Sequence, residues 1–238
     1  MPIVLLLAAC FPADPDSALF QGIVRSGPAY DDPTLPEATL TSFDADGAQV
    51  STAVSDGDGS FEIAIPWGGL FAVVVEADGH MPTSMSGVGQ TDTVLAPNGA
   101  VFARPDAWWE TAQTTWSGCP DLETGPVVEG ILRAYLPVPI EEVDTLPVIN
   151  TGSLTLDIDE DDPRIPCYLD DLGVYDPDAS VTGDTGQFLF ANVPPGWATV
   201  RSTFTADESV SDGMDHAVFV PAAGVVTLDP AMAETPGL

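Results

Sequence analysis

Lysine is absent from this chain, and arginine is rare. Five arginines stand against 37 aspartates and glutamates in 238 residues, which gives a formal net charge of −32. A surface with this much negative charge repels nucleic acid and anionic lipid headgroups, and it favours solubility and cation binding. We therefore expect no nucleic-acid partner. Without lysine, the chain also lacks the Lys–Asn isopeptide bonds that stabilise some other tandem surface sandwiches.

Histidine is equally scarce, and the motifs of common enzyme classes are missing. The HxxE motif of zinc carboxypeptidases is absent at both histidines. His80 is followed by Met-Pro-Thr, and His216 is followed by Ala-Val-Phe. The sequence has no GxSxG elbow, no P-loop and no GxGxxG turn. Asp215 and His216 would need a serine from elsewhere to form a triad, and any acidic chain offers that on paper. We predict that the protein is not an enzyme and has no catalytic residue.

The residues that are present suit two small β domains. A chain of 238 residues is expected to form two domains of about a hundred residues each. An apolar content of 45% is enough for hydrophobic cores. The 22 glycines and 23 prolines favour many short strands and turns over long helices. The predicted fold class is all-β.

The stretch from Ser55 to His80 carries the clearest structural signal. An Asp/Gly turn at its start is followed by alternation that places Phe61, Ile63 and Ile65 on one face of a strand. A proline/glycine turn then ends the strand. Residues 70–75 are apolar without interruption, which is typical of an interior strand.

A shorter version of this stretch recurs from Thr182 to Arg201. Phe188 corresponds to Phe61 at an offset of 127 residues. The first strands of the two copies also match, with Gly130 on Gly22 at an offset of 108. The second copy therefore contains about nineteen extra residues between its first strand and its central turn. This internal repeat indicates two similar β units in tandem.

These motifs resemble the carboxypeptidase regulatory-like domain, a small transthyretin-like β-sandwich. The family pattern is G-x-V, then T-D-x-D-G-x-F, then a P-x-G turn. The matching segments are 22–24, 56–61 and 66–69 in the first copy, and 130–132, 183–188 and 194–196 in the second. In the second copy Thr185 stands where the first has Asp58. The resemblance implies two tandem transthyretin/immunoglobulin-like β-sandwiches that act as accessory or surface modules.

The amino terminus indicates export. Residues 1–10 form a short apolar run whose ending, Leu7-Ala8-Ala9-Cys10, resembles the bacterial lipobox, in which the cysteine is lipidated. The run is too short to cross a bilayer, since a spanning helix takes about twenty residues; a stray apolar terminus or buried strand is the alternative. Phe11 after Cys10 resembles outer-membrane sorting in the enteric lipoprotein rule. We therefore predict a lipoprotein with a signal peptide, held in the cell envelope by lipid at Cys10.

The remaining chain is divided by composition and by the repeat. The predicted segments are a signal with lipobox at 1–10, a tether at 11–17, a first sandwich at 18–97, a connector at 98–125, a second sandwich with an acidic insertion at 126–230, and a loose tail at 231–238. The last strand of the first sandwich is expected at residues 91–95. The Trp-rich connector is interpreted as containing a short helix.

In that connector helix, Asp106 is the expected N-cap. Trp109, Ala112 and Trp116 would then share one helical face. We expect this face to pack between the two sandwiches. The alternative is that exposed tryptophans stack on sugar rings.

Two cysteines remain after Cys10. Because an even pair in an exported protein is usually bridged, we predict a disulfide between Cys119 and Cys167. Closing the 48-residue loop would stabilise the fold by roughly 4 kcal/mol in the chain-entropy treatment. Two cysteines and two distant histidines show no zinc-ligand spacing.

Clustered acids offer one metal hypothesis. Residues 157–162 contain a dense acidic run from which Asp157, Asp159 and Asp161 could donate oxygen ligands to calcium. The spacing does not match an EF-hand, and a solvated acidic loop is the alternative. Asp56 and Asp58 are interpreted as turn residues. Calcium is the one cofactor that the sequence leaves open.

Together these features predict a non-enzymatic, surface-anchored lipoprotein that acts as a binding or spacer module. Its partners would be the membrane, through the lipid, and a protein or glycan. The competing hypothesis is a calcium- or carbohydrate-binding surface protein.

Overall fold

The computed structural model describes residues 17–29, 31–122, 125–135, 152–157, 164–206, 209–210 and 214–234. Within these ranges the chain forms eighteen strands and one short helix. They are β1 (Ser17–Arg25), β2 (Thr39–Phe43), β3 (Gln49–Val54), β4 (Ser60–Pro66), β5 (Leu70–Glu76), β6 (His80–Met81), β7 (Thr83–Val88), β8 (Thr93–Phe102), β9 (Arg104–Pro105), α1 (Asp106–Thr115), β10 (Val127–Tyr135), β11 (Gly152–Asp157), β12 (Cys167–Leu169), β13 (Tyr175–Asp176), β14 (Gln187–Phe190), β15 (Gly196–Ala206), β16 (Ser209–Val210), β17 (Met214–Val220) and β18 (Val225–Glu234). The predicted all-β class is confirmed.

The first half is a sandwich of two sheets. One sheet has the order β4-β1-β8, with β1 antiparallel to β4 and parallel to β8. Strands β3, β2, β5 and β7 form the facing layer. Its core contains the predicted alternating face of β4, since Phe61, Ile63 and Ile65 are 7%, 2% and 0% exposed.

The second half repeats this arrangement. Strand β10 lies between β14, which is antiparallel to it, and β18, which is parallel to it. The facing sheet contains β11, β15 and β17. Tyr168, in the core between these layers, is 1% exposed and its phenol oxygen accepts a hydrogen bond from the Leu154 amide at 2.9 Å. Burial raises the pKa of Tyr168 to about 12.

Both first strands have the same irregularity at a glycine. Gly22 pairs with Phe61 and Gly130 with Phe188, and a register shift against the parallel neighbour follows each glycine. A Cβ on Gly22 would lie 3.1 Å from the Phe61 ring; one on Gly130 would lie 2.7 Å from the Phe188 ring and 2.1 Å from the Leu228 carbonyl oxygen. Glycine is required at both positions because the bulged strand and the phenylalanine leave no room for a side chain.

The two central turns also form the same contacts. In the first, Asp58 accepts hydrogen bonds from the Ser60 amide at 3.0 Å and the Ser60 hydroxyl at 2.7 Å, and these bonds lower the pKa of Asp58. In the second, Thr185 accepts the corresponding bond from the Gln187 amide at 3.3 Å. Threonine can therefore replace aspartate here, because the turn needs only one oxygen acceptor at this position.

The two halves share one sheet. Strand β18 of the second half pairs in parallel with β7 of the first, which produces a nine-stranded sheet with the order β13-β12-β14-β10-β18-β7-β5-β2-β3. Packing against the second half explains the uninterrupted apolar run of β5. Phe71, Val73 and Val75 face the first core, while Ala72 and Val74 face residues of the second half.

Three predicted boundaries are wrong. Strand β8 continues to Phe102, so the first sandwich extends into residues 98–102 of the predicted connector. Strand β18 pairs with β10 as far as Glu234, so residues 231–234 of the predicted tail belong to the sheet. The N-cap of α1 is Pro105, which makes no side-chain cap, and Asp106 is the first helical residue. No helix in the described ranges is long and apolar enough to cross a membrane.

Candidate functional site

The most distinctive part of the structure is the junction, defined here as the contacts between the two sandwiches. Its backbone part is short: Thr83 pairs with Val225 and Ser84 with Val226, and the Val225 amide donates to the Pro82 carbonyl at 2.8 Å. Pairing between strand edges satisfies backbone groups that would otherwise be available to other chains. The junction therefore joins the sandwiches edge to edge.

An aromatic cluster strengthens the junction. The ring of Phe219 stacks on Phe43 with centroids 4.6 Å apart, and Trp197 meets Phe219 edge-on at 5.4 Å. The Trp197 indole N–H donates to the Asp44 carbonyl at 2.8 Å, and the Phe219 amide donates to the Ser86 hydroxyl at 3.0 Å. Phe219 is 8% exposed, and the partly buried rings of Phe43 and Trp197 pack against it.

A partly buried ion pair is the third element of the junction. Arg104, on β9, donates through Nη2 to Oε1 of Glu129, on β10, and their side chains are only 13% and 15% exposed. The Thr227 hydroxyl donates to the same carboxylate oxygen at 3.0 Å. The guanidinium lies 4.9 Å from the centroid of Trp108 and 5.2 Å from that of Phe102. Removal of one partner would leave a partly buried charge unpaired, which is destabilising.

The connector packs mainly on the second sandwich. Trp116 and Ala112 are each 5% exposed, and the partly buried Trp109 lies against the same cluster, so their predicted shared face is confirmed. Met81 is the only member before α1 among the described residues of this cluster. Packing, rather than sugar stacking, accounts for the buried Trp116.

The predicted disulfide between Cys119 and Cys167 is confirmed. It connects the segment after α1 to β12, which lies beside β14 in the second sandwich. Cys119 is 6% exposed and lies in the same cluster as Trp116, so the bridge attaches the connector to the second sandwich.

Beside the junction lies a groove of about 850 Å³, here called the fork groove because β7 and β18 diverge there. Its walls come from β5, β7, β8, β17 and β18, from the end of β1 and from the loop that follows β1. The groove contains two basic side chains, those of Arg25 and His216. No sequence motif indicated this groove, since it forms only where strands distant in sequence meet.

A serine and a histidine distant in sequence also come together. The Ser26 hydroxyl lies 2.7 Å from Nε2 of His80, and Nδ1 of His80 lies 2.8 Å from the Asp78 carbonyl oxygen. In the tautomer with a proton on Nδ1, Nε2 accepts a hydrogen bond from the Ser26 hydroxyl, as in a serine–histidine pair. However, the Ser26 amide, the usual oxyanion donor next to such a nucleophile, already donates to the Pro33 carbonyl at 2.8 Å. That amide is therefore not available as an oxyanion donor.

The triad that Asp215 and His216 might form on paper is not assembled. The carboxylate of Asp215 accepts two hydrogen bonds from Arg201, at 2.7 and 3.1 Å, and these bonds lower the pKa of Asp215. Nε2 of His216 lies 3.5 Å from the Ser202 hydroxyl, at the limit of hydrogen bonding. Both carboxylate oxygens of Asp215 thus accept hydrogen bonds from the arginine.

The structure places only part of the proposed calcium site. Asp157 ends β11, and its carboxylate lies 3.9 Å from Nη1 of Arg201. Asp159 and Asp161 lie outside the described residues, as does the lipidation site Cys10. Within the described ranges no three His, Cys, Asp or Glu side chains are grouped closely enough to hold a metal ion. Calcium binding and lipidation both stay predictions.

No family model matches the chain, and no curated protein matches it significantly. Among solved structures, the Bacillus anthracis TIE protein is 12% identical with a TM-score of 0.32; the alignment covers 92% of this chain and 35% of that one. The minor pilin GBS52 of Streptococcus agalactiae is 10% identical with a TM-score of 0.28, covering 93% and 98%. The major pilin subunit BcpA of Bacillus cereus is 11% identical with a TM-score of 0.30, covering 87% and 70%.

This chain thus spans about a third of the TIE protein, and the other two are similar only at low TM-scores. Likeness at this level carries no argument about function. The resemblance to the carboxypeptidase regulatory-like family rests on the motifs and stays a hypothesis.

Proposed function

We propose that this chain is a non-enzymatic surface module in which two sandwiches form one rigid spacer or binding platform. The observation that carries the proposal is the junction. Backbone pairing of β7 with β18, the aromatic cluster around Phe219 and the Arg104–Glu129 ion pair act together at this interface. A flexible tandem array would need none of these contacts, since domains connected only by a linker move independently.

Two observations support a place outside the cytoplasm. A disulfide between Cys119 and Cys167 is typical of oxidising compartments. A charge of −32 without lysine suits a soluble surface exposed to salt. We propose that lipid on Cys10 holds the module in the cell envelope, at the outer membrane.

We further propose that both sandwiches are carboxypeptidase regulatory-like domains. The supporting observations are the paired glycine bulges at Gly22 and Gly130 and the matching acceptor oxygens of Asp58 and Thr185. The partner would be a protein or glycan, as the sequence suggests.

Differential scanning calorimetry of the full chain tests the rigid-body proposal. Coupled sandwiches should unfold in one transition, with equal calorimetric and van't Hoff enthalpies. Two separate transitions, each matching half of the chain, would contradict the proposal. The test needs no knowledge of the partner.

A further inference from the structure

The fork groove exists because two paired strands separate. Strand β7 pairs with β18 only at Thr83 and Ser84. Beyond Ser84, β7 continues beside β5 to Val88, whereas β18 follows β10 to Glu234. The resulting cavity of about 850 Å³ lies within the range of roughly 300–1,000 Å³ that is usual for small-molecule sites, and such sites are common between domains.

The charge of the groove differs from that of the rest of the molecule. Its 22 described lining residues include no aspartate or glutamate. At the average of the chain, with 37 acids in 238 residues, about three would be expected. The lining instead includes Arg25, one of five arginines, and His216, one of two histidines. The groove lining thus contains basic side chains and no acidic ones, although the protein as a whole is strongly acidic.

One polar group in the groove has no partner in the protein. Ser84 is 1% exposed, lines the groove, and its hydroxyl makes no hydrogen bond among the described residues. A buried hydroxyl without a partner is costly, and such groups are rare in native structures. A ligand atom in the groove would satisfy it.

We propose that the fork groove binds an apolar small molecule with one carboxylate, of the fatty-acid class. The apolar part would lie along Met85, Phe102 and Leu228, which are lining residues. The carboxylate would accept a charge-assisted hydrogen bond from Arg25, whose guanidinium is positioned by donation from Nη1 to the Asp32 carbonyl at 2.9 Å. This inference goes beyond the proposed spacer function, although it depends on the same junction.

Met85 provides a local probe of binding. The chain has five methionines, so methyl-¹³C methionine labelling gives few signals, and Met85→Leu assigns the relevant one. Titration with decanoate, below its micelle concentration, should shift the Met85 methyl signal. It should leave the signal of Met81 unchanged, because Met81 packs with Trp116 and not in the groove. Titration with 1-decanol should give at least about tenfold weaker binding, because it lacks the carboxylate.

Variants separate the groups involved. Arg25→Gln should weaken decanoate binding about tenfold or more and leave decanol binding unchanged. Arg164→Gln, which removes an equal charge at an arginine outside the groove lining, is the matched control and should have no effect. Ser84→Ala should weaken decanoate about threefold without lowering the melting temperature of the free protein.

Three results would overturn the proposal. They are the absence of a Met85 shift at saturating decanoate, equal affinities for decanoate and decanol, and unchanged decanoate binding in Arg25→Gln. If Arg25→Gln fails to fold, Ser84→Ala decides, because unchanged binding there would also contradict the proposal. Independent unfolding of the sandwiches would refute the rigid spacer. A Met85 shift that Arg25→Gln weakens would still support the groove, because β7 and β18 can pair in the folded state without coupling the two unfolding transitions.

Discussion

Replacement of Phe219 by alanine should weaken the coupling between the two sandwiches. Phe219 is 8% exposed and stacks on Phe43 at 4.6 Å, with Trp197 against its edge. Loss of a buried phenylalanine costs about 3–5 kcal/mol. Because these contacts cross the junction, most of that loss should fall on the coupling rather than on either core.

The assay is calorimetry. At about 0.7 kcal/mol per residue, a cooperative unit of 238 residues has an unfolding enthalpy on the order of 160 kcal/mol. In Phe219→Ala the van't Hoff enthalpy should fall toward about half of that value, while the calorimetric enthalpy changes little. The matched control, Phe188→Ala in the second core, should lower the melting temperature and keep one transition. A single transition with the full van't Hoff enthalpy in Phe219→Ala would refute this reasoning.

Three further predictions concern a buried tyrosine, the proposed calcium site and the proposed lipid anchor. Burial raises the pKa of Tyr168 to about 12, above its unfolded value of about 10. The stability that the neutral phenol contributes to the fold is therefore complete below pH 10, and it is lost as the pH rises toward 12. Tyr168→Phe should therefore flatten the alkaline loss of stability in urea titrations, and an equally steep loss would contradict this. If calcium binds, it should raise the melting temperature in high salt beyond matched magnesium, and Asp157→Asn with Asp159→Asn and Asp161→Asn should remove the effect; no excess shift would exclude the site. A fatty-acid analogue should label the wild type and not Cys10→Ser, whereas equal labelling would end the anchor hypothesis.

Local patterns predicted the elements that depend on neighbouring residues. Alternation at Phe61, Ile63 and Ile65 gave the buried face of β4 correctly, because a strand alternates its side chains whatever it packs against. The spacing of Ala112 and Trp116 indicated the buried side of the connector helix, because a helix repeats every 3.6 residues whatever it packs against. The disulfide followed from counting cysteines in a chain expected to be exported.

The wrong strand ends have a common physical cause. Pro97 and Pro230 are the last residues of the two predicted sandwiches, and proline lacks an amide proton for the ladder. In the structure both lie within strands at register shifts, between Leu95 and Ala100 in β8 and between Leu228 and Ala231 in β18. A bulge leaves residues unpaired, so proline costs no hydrogen bond there.

The junction could not be predicted from the sequence. The amide of Phe219 and the hydroxyl of Ser86 are 133 positions apart, and the Trp197 indole reaches a carbonyl 153 positions away. Neither contact has a periodic or spacing signal, and parallel pairing of β7 with β18 leaves no turn between them. The fork groove depends on this pairing, so it could not be predicted from the sequence either.

The central claim, that the two sandwiches form one rigid body, is tested most directly by a distance measurement across the junction. Spin labels at Val54→Cys in the first sandwich and Val174→Cys in the second, with Cys10→Ser, lie at exposed positions (59% and 54%). Pulsed electron resonance should give one narrow distance distribution, as narrow as that of a control pair at Val54→Cys and Leu95→Cys within the first sandwich. A distribution several times broader than this control would show that the sandwiches move independently and would contradict the account.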